Sequence, residues 1–211
     1  MIKVNILSES GYIESLLGLG LSHGITMDYT FEEFASDRDL VKRMSNIANK
    51  LAFKGKGESK FLETINVIVD VTAPIYFWQE FDTYRVGISK QSSSTMHTLL
   101  KENDISSEMI DEISKDNIFD EILEDKIKNY YLACESIIKD IKNSDMNIAD
   151  KKRFAKKILP STWKQRRIIS TNYKTLQNIY QQRENHQLVE WREFCQYLKE
   201  KLKHNQYIVY K

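Results

Sequence analysis

Two polar segments interrupt an otherwise apolar-patterned chain, and they hold the groups best suited to chemistry. Arg85 is followed by Val86, Gly87, Ile88, Ser89, Lys90, Gln91, Ser92, Ser93, Ser94, Thr95, Met96 and His97. Guanidinium, hydroxyl and backbone N–H groups donate, and a phosphate or a pyrimidine edge presents acceptors, so this run suits either. Further on, Asn172 reads as the N-cap of a helix crowded with Lys174, Asn178, Gln181, Gln182 and Arg183, with His186 just beyond. Each segment by itself also fits a solvated surface, a serine loop in one case and a wet helix face in the other.

Other chemistries lack their parts. The histidines, His23, His97, His186 and His204, never fall at the i, i+4 spacing that presents two imidazoles on one helix face, so no metal site is expected. No Gly-x-Ser-x-Gly elbow is present, and Lys54 to Gly57 lacks the fuller Walker pattern and reads as a turn. Cys134 and Cys195, far apart in apolar-periodic stretches, read as buried free thiols in a reducing compartment. Thirty-one basic residues against thirty acidic ones give a net charge of +1, which argues against a broad basic face for duplex nucleic acid. No run approaches the roughly 20 apolar residues of a membrane span, and the first residues lack the apolar core of a secretory signal. The expected location is the cytoplasm, with no membrane contact.

The elements that must position these groups follow from periodicity. Met1 to Leu7 alternates like a strand, and Gly11 to Gly24 reads as a short helix and turn. Between Asp37 and Phe53, Leu40, Val41, Met44, Ile47, Ala48 and Leu51 mark one buried helix face. Ile65 to Val71 is rich in β-branched residues and reads as a strand. Ala73 and Pro74 suit the first turn of a helix, because proline lacks only an N–H that is unpaired there anyway. Tyr76, Phe77, Trp78, Phe81 and Tyr84 then supply aromatics. Ile118 to Ile141 spaces Leu123, Ile127, Tyr130, Cys134, Ile137 and Ile141 alternately four and three apart, and Leu188, Trp191, Cys195, Leu198 and Leu202 form a similar seam. Either seam fits an intrachain core or an oligomer interface. A length of 211 residues with 41% hydrophobic content and no linker predicts one ordered domain over residues 1–211.

Taken in order, these segments resemble the flavin-dependent thymidylate synthases across nearly the whole chain. That family has a strand, an Ala-Pro-Ile-like helix start, then Arg-His-Arg followed by seven residues and a serine. Here stand Ala73, Pro74 and Ile75, then Thr83, Tyr84 and Arg85, then seven residues and Ser93. With a loop one residue longer, Ser89, Gln91 and Ser94 fall instead on the family's Ser, Asn and later Ser. The carboxy-terminal match is sharper. Leu159 and Pro160, Asn172 and Lys174, Asn178, Arg183, and His186 with Glu190 and Arg192 follow the family's Leu-Pro, Asn-x-Arg, Asn, Arg and His-Ala-Gln-x-Glu-Ile-Arg. Upstream, Asp28 to Phe31 looks like its Arg-Val-Ser-Phe, and Gly57 to Thr64 like its Gly-His-x-Ser-Pro-Phe-Glu-His.

The resemblance implies a helix-rich α/β (α+β) domain with a central mixed or antiparallel sheet and long helices. It further implies a homotetramer with FAD and deoxyuridine monophosphate (dUMP) between subunits, and NADPH and methylenetetrahydrofolate as co-substrates. By the same likeness Arg183 would hold the uracil edge. Lys156 with Gln91, Ser93 and Ser94 would take the nucleotide phosphate, and Arg85, Asn172, Lys174, Asn178 and His186 the flavin. Related alternatives are another one-carbon outcome on a pyrimidine nucleotide, such as hydroxymethylation, and a non-catalytic nucleotide-binding homologue without the flavin site.

The chain departs from the pattern at Thr83 and Tyr84, where the family has Arg and His, and at Glu58, where it has His. In the longer register Met96 and His97 stand for Arg and Tyr. Lys156 and Lys174 keep a positive charge where the family has arginine, without the planar fork.

Overall fold

A computed structural model describes residues 2–55, 57–94, 100 and 121–210. The opening strand is β1 (Lys3–Ser10), followed by α1 (Tyr12–Ser22). Helix α2 (Phe31–Ser36) starts in a capping box: Thr30 accepts from the Glu33 N–H while the Glu33 carboxylate accepts from the Thr30 N–H. Asp37 caps α3 (Arg38–Leu51), which buries Met44, Ala48 and Leu51 and half-buries Leu40, Val41 and Ile47, the face expected from its spacing. A short 3-10 turn (Lys60–Glu63) leads into β2 (Asn66–Pro74).

Here one expectation is corrected. Ala73 and Pro74 finish β2 rather than opening the helix, and α4 (Ile75–Phe81) begins at the next residue. Proline cannot donate to the ladder, and the N–H groups after it do so instead: Ile75 to the Trp163 carbonyl and Tyr76 to that of Ser161, each at 3.1 Å. Strand β3 (Ser89–Ser92) is a second correction, because the serine-rich segment begins as an edge strand rather than a loop. Its serines, lysine and glutamine suit an edge that must stay solvated. Met96 and His97 lie outside the described residues.

Helices α5 (Glu121–Asn143) and α6 (Ile148–Ile158) precede β4 (Lys164–Asn172), and α7 (Tyr173–Arg183), α8 (Val189–Lys201) and a 3-10 turn (Asn205–Tyr207) complete the order. The four strands form an antiparallel sheet in the order β1-β2-β4-β3. Its central pair is fixed at both ends, by Tyr173 N–H to the Ile65 carbonyl at 3.0 Å and by Ile75 N–H to that of Trp163.

The chain divides into two compact units. One comprises Thr72–Phe81 and the described part of Ser92–Arg166, with α4, α5 and α6. Tyr131, Ile138, Ala155 and Trp163 form a core there, bordered by Ile75, Ile127, Ile141, Ile158 and Leu159. This shifts the expected seam of α5. Ile127, Cys134 and Ile141 keep their place, but Tyr131 and Ile138 turn inward, while Leu123, Tyr130 and Ile137 are 47%, 54% and 44% exposed. Both stripes share the four-and-three spacing and three of their members, so periodicity alone could not choose between them. Ile118, the expected start of this helix, lies outside the described residues.

The second unit holds Ile2–Val71, Asp82–Gln91 and Arg167–Lys211. Leu16, Phe34, Met44, Leu62, Ile65, Tyr173, Ile179, Trp191, Phe194 and Tyr207 are buried in it. Trp191, Cys195, Leu198 and Leu202 are all buried, so the α8 seam is intrachain core. Both cysteines are free and buried. No helix among the described residues is long and apolar enough to cross a membrane.

Candidate functional site

Helix α7 is built to face two ways. Asn172 caps it, its Oδ1 accepting from the Thr175 N–H at 2.9 Å. Tyr173, Leu176, Gln177, Ile179 and Tyr180 are buried, and Lys174, Asn178 and Gln181, four and three residues apart, line a cavity of about 390 Å³. Its other wall is the loop Thr83, Tyr84, Arg85 and Val86.

That loop is seated by close contact. Thr175 Oγ1 donates to the Val86 carbonyl at 3.2 Å. Gly87 has φ +69°, and a Cβ there would collide with the Thr175 hydroxyl and come within 2.9 Å of Asn172 Nδ2. Only glycine allows the loop to lie this tightly on the start of α7. At the far side of the loop Asp82 pairs with Lys90 of β3 at 2.5 Å and with Arg167 of β4 at 2.8 Å. Partial burial by itself would raise the Asp82 carboxyl, but the hydrogen bonds and charges of these two cations outweigh it and hold it below the ordinary carboxylate range.

Lys174 is half-buried and well tied. Its Nζ donates to Ser59 Oγ at 2.7 Å and to Gln177 Oε1 at 3.1 Å. Gln177 is fixed in turn by donating to the Ala52 and Tyr207 carbonyls at 2.9 and 2.7 Å. Glu58, the neighbour of Ser59, lines a different cavity of about 510 Å³ with His23, Gly18, Leu19 and Phe61.

Arg183, at the end of α7, is held by aromatic rings and hydrogen bonds. Its guanidinium carbon lies 4.8 Å from the centroid of Trp191 and 5.7 Å from that of Tyr84. Nε donates to the Tyr84 hydroxyl at 2.9 Å, and Nη1 meets His186 Nε2 at 2.6 Å. A guanidinium only donates, so His186 Nε2 is the acceptor. Arg192 closes the turn between α7 and α8 by donating to the carbonyls of His186 and Gln187 at 2.7 and 3.0 Å.

The structure therefore gathers Arg85, Lys174 and Asn178 around one cavity and joins Arg183 to His186, while Asn172 spends its side-chain oxygen on the cap. Gln91 lies exposed on β3 in the same unit. Ser93, Ser94 and Lys156 belong to the other unit. There the Ser93 N–H donates to the Arg166 carbonyl at 2.9 Å, the Ser93 carbonyl accepts from Gln165 Nε2 at 2.8 Å, and Lys156 is exposed in the last turn of α6. Sequence reasoning missed Trp191 beneath Arg183, Ser59 beside Lys174, and the tyrosine hydroxyl on Arg183. The spacing places Trp191 in a seam that fits core or interface, and the motif shows Tyr84 only as a departure from the family's histidine; no local spacing links Ser59 to Lys174 or Tyr84 to Arg183, 115 and 99 residues apart.

Two cations and a row of amides around one cavity fit the phosphates and the acceptor-bearing ring edge of a flavin nucleotide. Sequence comparison found no match among curated proteins. The backbone superposes on two crystal structures of the flavin-dependent thymidylate synthase ThyX from Helicobacter pylori with FAD and dUMP. The TM-scores are 0.72 and 0.73, the identities 17% and 16%, and the matches cover 98% and 99% of this chain and 97% of each of those. The sequence profile of the thymidylate synthase complementing proteins matches residues 25–205. With most of its length under that profile, the chain belongs to the thymidylate synthase complementing protein family, the flavin-dependent thymidylate synthases.

Proposed function

We propose that this protein is a cytoplasmic flavin-dependent thymidylate synthase acting as a homotetramer, with residues 1–211 as one functional domain. It converts dUMP to thymidine monophosphate with FAD, NADPH and methylenetetrahydrofolate. The observation that carries this reading is the convergence of Arg85, Lys174 and Asn178 on one cavity whose wall residue Tyr84 grips Arg183. Bound FAD, reduced by NADPH, supplies the hydride that completes the methyl group on the one-carbon unit taken from the folate.

The chain's own residues bind and orient the reactants. Arg85 and Lys174 offer positive charge to the flavin's phosphates, and Asn178 offers an amide to its polar edge. Arg183 donates to the uracil carbonyls from a stacked position that limits its rotamers. Lys156, Ser93, Ser94 and Gln91 take the nucleotide phosphate, His186 backs Arg183, and Asn172 holds the helix start beneath the flavin.

Tritium release from dUMP labelled at C5 tests the reading. Release that needs FAD, NADPH and methylenetetrahydrofolate together is the expected result. Absence of release from protein that binds dUMP but no flavin would instead identify a non-catalytic homologue, and a hydroxymethylated product would identify the related transferase.

A further inference from the structure

Tyr84 stands where the family carries histidine, and hydrogen bonds run from it in two directions. Arg183 Nε donates to the Tyr84 hydroxyl at 2.9 Å, that hydroxyl donates to Gln182 Oε1 at 2.8 Å, and Gln182 Nε2 donates to Asn178 Oδ1 at 3.0 Å. The guanidinium fixes the polarity of the whole chain. It can only donate, so the hydroxyl accepts there and gives its proton to the amide oxygen, and the amide passes an N–H on to Asn178. Asn178 Oδ1 is thus engaged from behind, and Nδ2 is the donor it has for a guest in the cavity it lines with Arg85 and Lys174. The other end of the chain is the guanidinium already stacked on Trp191.

We propose that Tyr84 is a positioning residue that couples the Arg85–Lys174–Asn178 cavity to Arg183, so that flavin binding tightens binding of the pyrimidine nucleotide. A guest that takes Asn178 Nδ2 holds that amide in one orientation, and Gln182, the Tyr84 hydroxyl and Arg183 are ordered with it. The ordering of a long arginine side chain is then already done when the nucleotide arrives. Aligned donors also polarise one another, which strengthens the guanidinium's grip. Histidine in place of Tyr84 would have a shorter reach, so the connection is a property of this chain. The inference rests on the function proposed above, since it takes FAD as the guest and dUMP as the partner of Arg183.

Calorimetric titration of the full chain with dUMP, without FAD and then with saturating FAD, reads the coupling directly. In the wild type FAD should tighten dUMP at least about fivefold, the lower end of ordinary site-to-site coupling. Tyr84→Phe keeps the ring and removes the hydroxyl, and should lower that factor by about twofold or more. Gln182→Leu, at an exposed position away from the cavity lining, should do the same while FAD alone binds as in the wild type. An unchanged factor in both variants overturns the proposal. If the wild type binds both ligands with no mutual effect, the coupling alone falls. If it binds neither, the proposed function falls with it.

Discussion

In the proposed site, Arg183 is partly positioned before a ligand arrives. Two rings flank its guanidinium, and a hydroxyl and an imidazole nitrogen meet its N–H groups, which narrows the rotamers it samples. Arg183→Ala should weaken dUMP about ten- to a hundredfold, the scale of hydrogen bonds from a charged donor, and leave the circular dichroism spectrum unchanged. Calorimetry on the folded variant checks this. Cys195 makes the opposite point, a chemically able group kept silent. Burial, assisted by the Glu184 charge and opposed by Arg183, pushes its thiol up to about 12. The thiol therefore stays protonated at neutral pH. Iodoacetamide should leave Cys195 unlabelled in the native protein and label it in denaturant, with mass spectrometry of the peptide as the readout.

At the scale of elements, the loop between α4 and β3 is what places Tyr84 and Arg85, and its seat on α7 depends on one glycine. Gly87→Ala combines a left-handed backbone with a collision on Thr175, so it should cost about 1–3 kcal/mol in denaturant unfolding and weaken FAD binding. The Asp82 bridge to Lys90 and Arg167 fixes the other side of the loop and gives it a pH dependence. Its folded carboxyl titrates below the unfolded value of about 3.9, so its contribution is complete above that pH and is lost as the pH falls through the lowered value. The melting-temperature difference between wild type and Asp82→Asn should be constant near neutrality and shrink below about pH 4.

These elements also show what the sequence could convey. Helix α3, strand β2 up to Val71 and the Asn172 cap were legible because each is written in local spacing or a single capping residue. The end of β2 was misread because proline's missing N–H suits both a helix start and a strand end, and only the partner strand decides. The inward stripe of α5 was misread because two overlapping stripes satisfy the same period. Motif spacing pointed to Arg85, Lys174 and Asn178, which line one cavity, and to Arg183, which bonds to the Tyr84 in its wall. Tyr84 as the bridge to Arg183 stayed hidden because it joins residues 99 apart in the chain.

For the whole molecule, the exposed residues of α5 bear on assembly. Tyr130 and Ile137 lie two helical turns apart at 54% and 44% exposure, on a stripe that points away from their own unit's core. In the proposed tetramer such a stripe is covered by another subunit, so Tyr130→Lys with Ile137→Glu should lower the sedimentation coefficient without loss of helix content. The central claim, that this chain holds a flavin against a pyrimidine nucleotide, is tested most directly by the visible absorbance spectrum of FAD titrated with the protein and then with dUMP. The account predicts a saturable perturbation of the flavin bands, one flavin per chain, that changes again when dUMP is added. A spectrum identical to that of free FAD at every protein concentration would contradict it.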